Sequence, residues 1–125
     1  MGRLSWDRSS SNPAVAVNPL VTSHTGNRSA GLYRAVIDQF DVKNSLRYDV
    51  DHSTYCNIFL WDVTRAMGAE IPHYVDPNTL SPKYYPDVKG ARQLTADRIY
   101  DWLRDKGGEY GWHQVTAEEA QNLAN

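Results

Sequence analysis

The side chains of this sequence that are best suited to chemistry are one cysteine, Cys56, and four histidines, His24, His52, His73 and His113. A single cysteine cannot form an internal disulfide, so it is core filler, a metal ligand or a reactive thiol. The histidines show no short-range spacing typical of a zinc site. The sequence therefore predicts no metal site, and it leaves a buried cysteine and a reactive thiol as alternatives.

Cys56 stands where an apolar helix is predicted to begin, and the same pattern predicts that the helix runs to Met67 and stops at Gly68. Free backbone N–H groups and the positive end of the helix dipole stabilise a thiolate at such a position. A cysteine there can act as a nucleophile near neutral pH. The competing interpretation is a small buried hydrophobe, which is the commoner role of a free cysteine.

Three further helices are predicted around this one. Apolar side chains at helical spacing and a Ser or Asn cap predict a helix over 29–40. A second is predicted over 95–106, with Thr95 as N-cap and two glycines at its end. Thr116 and Glu119 form a capping box before a short last helix. Strand signals are poor, and the best candidate is 112–115, so the expected fold is mainly α.

A long stretch, 71–94, is predicted to be irregular because it carries four prolines. Three tyrosines are interleaved with these prolines, at positions 74, 84 and 85. They either line a groove for a glycan or peptide, or cover the core. The chain as a whole is predicted to have two parts. Residues 1–28 form a flexible or extended arm, and residues 29–125 form one helical domain. Docking of the arm on the domain through its apolar side chains, such as Val17, is left open.

The composition narrows the function classes. Hydrophobic residues make up 41% and charged residues 22%, as in an ordinary soluble domain. The net charge of −2 and the pI near 6.0 leave no basic face for nucleic acid. No apolar run approaches the roughly 20 residues of a membrane helix, and 1–11 has no apolar core of a signal peptide. We therefore expect no nucleic-acid binding, no membrane insertion and a chain that is cytoplasmic as made.

Two segments resemble a family of bacterial and phage-associated NlpC-like cell-wall peptidases. The first, from Tyr55 to His73, reads Tyr-Cys-Asn-Ile-Phe-Leu-Trp-Asp-Val and then, after two residues, Ala-Met-Gly-Ala-Glu-Ile-Pro-His, and it resembles the nucleophile region. The second, from Gly111 to Asn125, ends in Ala-Gln-Asn-Leu-Ala-Asn and resembles the segment that precedes the catalytic strand. The resemblance covers about 18–125 and includes everything but most of the arm.

The resemblance implies a papain-like α+β fold, hydrolysis of peptide or amide bonds in peptidoglycan at the cell envelope, and no cofactor. It makes Cys56 the nucleophile. Asn57, the polar residue beside it, Tyr48 and Tyr55 are candidates for substrate binding. In relatives the chain continues into strands, and one of these strands carries the general-base histidine. We therefore expect the helical lobe of a papain-like fold, truncated before its C-terminal sheet, with little or no activity.

Two histidines are candidates to replace the missing base. His113 precedes the last helix, where a surface or strand-edge role is the alternative. His73 ends the Ile-Pro-His turn, where hydrogen bonding within the loop is the alternative. His52 lies in a polar turn and His24 in the arm, and neither is assigned chemistry. Asp62 is expected to hydrogen-bond a loop rather than to orient a base.

A second class of function is a module that binds a cell-wall peptide, a glycan or a protein without turnover. Such a module is a candidate homodimer, because the helical face that covers the sheet in relatives would be exposed. A third interpretation is a phage- or toxin-associated accessory protein whose histidine comes from another chain.

Overall fold

The computed structural model of the protein describes residues 15–48 and 55–124. In these two ranges the α-helices are α1 (Ala30–Asp38), α2 (Cys56–Ala66), α3 (Ala96–Asp105) and α4 (Ala117–Ala124). The strands are β1 (Tyr74–Val75), β2 (Pro82–Lys83) and β3 (Arg92–Gln93). Short 3-10 helices cover Leu46–Tyr48 and Gly107–Tyr110. The fold is mixed α/β with helices predominant.

The predicted helices are confirmed and differ from the observed ones only at their ends. The Ser29 hydroxyl accepts the N–H of Leu32 at 3.1 Å and so caps α1. The capping box of α4 is formed in both directions, because Thr116 N–H donates to Glu119 and Glu119 N–H donates to Thr116, each at 3.1 Å. Thr95 precedes α3 in an extended conformation, but its side chain makes no cap hydrogen bond.

The prediction that 71–94 is irregular throughout was wrong, because all three strands lie in it. They form one antiparallel sheet in the order β2-β1-β3, in which Tyr74 pairs with Lys83 on one side and with Gln93 on the other. Each strand has two residues, too few to show the alternation that marks a strand in sequence. Pro82 is tolerated because β2 is an edge strand. The candidate strand 112–115 is not a strand.

Helix α2 lies against two clusters of buried apolar side chains. The first cluster contains Val17, Val36, Phe40, Tyr48, Ile58, Trp61, Val63, Ala66 and Tyr74. The second cluster contains Ile71, Val75, Leu94, Ile99 and Trp102. Leu60 of α2 packs against the second cluster, whereas its neighbour Trp61 belongs to the first. The helix that begins at Cys56 is therefore central to the packing.

The described part of the arm, residues 15–28, lies against the C-terminal half of α2. Val17 is buried in the first cluster, and its carbonyl oxygen accepts a hydrogen bond from the Arg65 guanidinium at 2.8 Å. The N–H of Ser23 donates to the carbonyl of Ala66 at 2.8 Å. These contacts attach this part of the arm to the helical body. Residues 1–14, and with them the whole of the segment 1–11 without a signal-peptide core, lie outside the described residues.

Candidate functional site

Cys56 is the first residue of α2, and its thiol is free and exposed. Tyr55 occupies the N-cap position but makes no side-chain cap hydrogen bond. Its carbonyl oxygen accepts the N–H groups of Ile58 and Phe59 at 3.0 and 3.1 Å. The N–H groups of Cys56 and Asn57 find no acceptor in the described part of the chain. The start of α2 thus offers open donors beside a thiol.

Asn57 anchors this end of α2 to the segment that leads into α3. Its side-chain nitrogen donates to the carbonyl oxygen of Leu94 at 3.0 Å. The N–H of Leu94 in turn donates to the carbonyl of His73 at 2.8 Å. Asn57 is half-buried, and it positions the helix start. A role for Asn57 in substrate binding stays a prediction.

Tyr48 and Tyr55 lie side by side close to the start of α2. The N–H of Tyr55 donates to the carbonyl of Tyr48 at 3.2 Å. The Tyr48 side chain is buried, and its ring meets Phe59 edge to face with centroids 5.5 Å apart. Tyr55 is half-buried and packs against the first cluster. The backbones of both tyrosines therefore lie close to the start of α2, and their part in substrate binding stays a prediction.

Asp62 forms a buried ion pair that the sequence did not predict. The Arg47 guanidinium donates to both carboxylate oxygens at 2.7 and 2.9 Å, and both side chains are 0% exposed. The Tyr48 hydroxyl donates to the same carboxylate at 2.5 Å. Burial and the negative charge of Asp62 raise the pKa of Tyr48. The expectation that Asp62 does not orient a base agrees with these partners.

His73 is buried inside the protein, with 1% of its surface exposed. Its ring stacks on Trp61 with centroids 4.8 Å apart and meets Tyr74 edge to face at 4.7 Å. Neither ring nitrogen has a hydrogen-bond partner of standard geometry in the described residues. Hydrogen bonding within the loop, the alternative interpretation of His73, is therefore observed for its backbone carbonyl, which accepts the N–H of Leu94, and not for its ring nitrogens. Its ring is a packed aromatic side chain.

Burial lowers the pKa of His73 to about 4, and the positive charge of Arg47 acts in the same direction. The Gln93 side chain raises this pKa as a weak hydrogen-bonding neighbour, although no bond of standard geometry forms between them. The imidazole is therefore neutral at neutral pH. Neither of its nitrogens is hydrogen-bonded to the Cys56 thiol.

The remaining histidines of the described residues are exposed, and neither is hydrogen-bonded to the thiol. His113 is exposed and lines a shallow pocket of about 230 Å³ beside Tyr100 and Trp112. His24 is exposed, and its Nδ1 lies 2.8 Å from the carbonyl oxygen of Thr25. His52 is outside the described residues. Within 15–48 and 55–124, no histidine hydrogen-bonds Cys56.

The structure thus defines the position of the Cys56 thiol, and no histidine of the described residues is hydrogen-bonded to it. No known protein family, curated protein or solved structure matches this chain. The NlpC-like resemblance therefore rests on the two sequence segments that carry it. In the described ranges, no three His, Cys, Asp or Glu side chains are grouped to hold a metal ion. No helix in those ranges has the length and apolar character to cross a membrane.

A groove lies beside α3, and the sequence interpretation missed it. Its volume is about 390 Å³. It is lined by Leu80, Arg92, Leu94, Arg98, Asp101, Trp102 and Asp105, and these residues define the α3 groove. The last three and Arg98 lie at helical spacing on one face of α3, which is the one signal visible in the sequence. Leu94 connects the α3 groove to Asn57.

Proposed function

We propose that this chain is the helical lobe of an NlpC-like, papain-like cysteine peptidase or amidase that acts on peptidoglycan peptides. The observation that carries the proposal is the exposed Cys56 thiol at the uncapped start of the central helix. In the proposed reaction the thiolate attacks the carbonyl carbon, and the N–H groups at the helix start stabilise the oxyanion. The amine leaves with a proton, and water then hydrolyses the thioester.

The proton acceptor is the part of this machinery that no described histidine supplies. A cysteine without a base in hydrogen-bond reach loses most of its catalytic advantage. We therefore expect turnover by this chain to be low. Selective covalent capture at Cys56 is the more informative measurement of nucleophile function, because it requires one attack and no release of product.

The expected result is stoichiometric labelling of Cys56 by a chloromethyl ketone that carries a peptidoglycan stem peptide. The same electrophile on a diglycine peptide should react more slowly by about tenfold, the discrimination that a few substrate contacts provide. Intact-mass spectrometry over time gives both rates. Because Cys56 is the single cysteine of the chain, every thiol adduct reports on this site.

The matched controls are the Cys56→Ala variant, which should give no adduct, and the wild-type chain in urea, which should lose the preference between the two peptides. Equal rates for both peptides in the folded chain, with no change in urea, would show that Cys56 is an ordinary surface thiol. That result would refute the proposed nucleophile.

A second candidate function is a module that binds a cell-wall peptide without cleaving it. The observation that favours it is that His73 is buried and that no histidine of the described residues is hydrogen-bonded to Cys56. The homodimer variant of this proposal is favoured by exposed apolar side chains such as Leu46 and Leu123. In this case Cys56 has no chemical role.

The binding module predicts that the chain co-sediments with insoluble peptidoglycan and that Cys56→Ala co-sediments equally well. The cysteine peptidase predicts, in addition, the selective labelling described above. Co-sedimentation of both the wild type and Cys56→Ala, without selective labelling of Cys56, would support the binding module. If neither protein co-sediments with peptidoglycan, the binding module is rejected. Sedimentation velocity at several concentrations tests the dimer, which requires a sedimentation coefficient that increases with concentration.

A further inference from the structure

We infer that the α3 groove binds a short peptide through a carboxylate group. Its volume of about 390 Å³ lies within the range of small-molecule sites and is adequate for a dipeptide. The groove combines an apolar floor with charged side chains at its walls. Its lining indicates both the shape and the charge of the occupant.

The floor of the groove is rigid and apolar. Leu94 and Trp102 are buried members of the second cluster. The indole N–H of Trp102 donates to the carbonyl oxygen of Leu80 at 2.9 Å, which fixes one wall against the other. Trp102 also stacks on Tyr110 with centroids 5.6 Å apart. An aliphatic side chain or peptide stem can therefore pack on this floor without reorganising the protein.

The charges of the groove favour an anion. Asp101 and Asp105 both form ion pairs with Arg104, at 3.4 and 2.9 Å. Arg92 and Arg98 line the same groove and form no ion pair with any carboxylate of the described residues. Two guanidinium groups are therefore open to a ligand, whereas the two carboxylates share the single positive charge of Arg104. Together the three arginines and two aspartates leave one net positive charge around the groove.

A single carboxylate fits this arrangement better than a phosphate diester chain. Guanidinium groups bind carboxylates through bidentate hydrogen bonds, which add geometric specificity to the attraction between the charges. The two aspartates at the wall repel an extended polyanion, because they remain near the groove even when paired. An amine would compete with Arg104 for those aspartates and would meet the open guanidiniums. The ligand class is thus a peptide with an acidic side chain or a C-terminal carboxylate.

The groove also has a direct structural connection to the thiol. Leu94 forms part of the groove, and its carbonyl oxygen accepts the hydrogen bond from Asn57, the residue that follows Cys56. A peptide in the groove would extend toward the start of α2. The connection to Cys56 rests on the proposed function, because it makes the groove the site that binds a carboxylate of the peptidase substrate.

The test is the titration of the full chain with N-acetyl-alanyl-glutamate α-amide, which carries one carboxylate, and with its neutral analogue, N-acetyl-alanyl-glutamine amide, followed by isothermal calorimetry or NMR. We expect the acidic peptide to bind and the neutral one to bind more weakly by about tenfold, the effect of losing one charged hydrogen bond. Arg98→Gln and Arg92→Gln should each weaken the acidic peptide by a similar factor. Arg34→Gln, an exposed arginine on α1, is the matched control and should have no effect.

Equal affinity for the two peptides, no binding of either, or unchanged affinity in both arginine variants would each overturn the inference. A second measurement separates it from the proposed function. At a concentration equal to its wild-type Kd, the acidic peptide should slow the alkylation of Cys56 by iodoacetamide in the wild type and much less in Arg98→Gln. Binding without any change in alkylation would refute the connection to the thiol. Loss of selective Cys56 labelling with binding intact would refute the peptidase and leave the carboxylate site standing.

Discussion

Asp62→Ala is expected to destabilise the protein by about 3–5 kcal/mol, the usual cost of removing one partner of a buried ion pair. The substitution leaves the Arg47 guanidinium at 0% exposure without the carboxylate that accepts two of its hydrogen bonds. It also removes the acceptor of the Tyr48 hydroxyl. Buried donors that lose their acceptor keep the full penalty of leaving water. Urea unfolding followed by circular dichroism measures the change.

The matched control is Asp105→Ala, which removes the exposed partner of Arg104. Exposed ion pairs contribute little, so this variant should unfold close to the wild type. The double variant Arg47→Met/Asp62→Leu should be more stable than Asp62→Ala, because it replaces both charges with apolar groups. Equal stability of Asp62→Ala and Asp105→Ala would show that the pair does not hold the first cluster together.

Acidification is expected to remove about 3 kcal/mol of stability through His73 alone. The folded-state pKa of His73 is about 4, whereas the ordinary value is 6.5. Between these two pH values the unfolded chain binds a proton at this position and the folded protein does not. The stabilisation is therefore complete above pH 6.5 and is lost as the pH falls toward 4. Below pH 4 both states are protonated, and His73 adds no further loss.

The measurement is the free energy of unfolding as a function of pH for the wild type, His73→Phe and His113→Gln. Phenylalanine can stack on Trp61 but does not titrate, so His73→Phe should be less sensitive to acid in this window. His113 is exposed, and its replacement should leave the acid sensitivity unchanged. The same pH dependence in His73→Phe and the wild type would contradict the assignment to His73.

The helical part of the fold was accessible from the sequence because its signals are local. Caps such as Ser29 and the Thr116 box act within one turn, and the apolar periodicity of α2 extends over three turns. The sheet was not accessible for the opposite reason. Its strands are two residues long and separated by loops, and their pairing depends on contacts that no local pattern records.

The candidate site also has features that the sequence could predict and features that it could not. The place of Cys56 at the start of α2 could be predicted, because a helix boundary is a local property. The ion pair between Arg47 and Asp62 joins residues 15 positions apart, so no local pattern predicts it. The one sign of it in the sequence was a carboxylate among the large apolar side chains of a helix predicted to be buried. The burial of His73 between two aromatic rings depends on packing that distant residues create. The α3 groove combines residues of a loop, a strand and a helix, so the sequence showed only its helical side.

Strand β1 contributes to both apolar clusters at once. Tyr74 belongs to the first cluster and Val75 to the second, since consecutive residues of a strand point to opposite faces. Leu60 and Trp61 divide in the same manner on α2. Neither cluster can open without exposing side chains that hold the other, which couples them into one cooperative unit. The helix that begins at Cys56 therefore keeps its packing as long as both clusters stay intact.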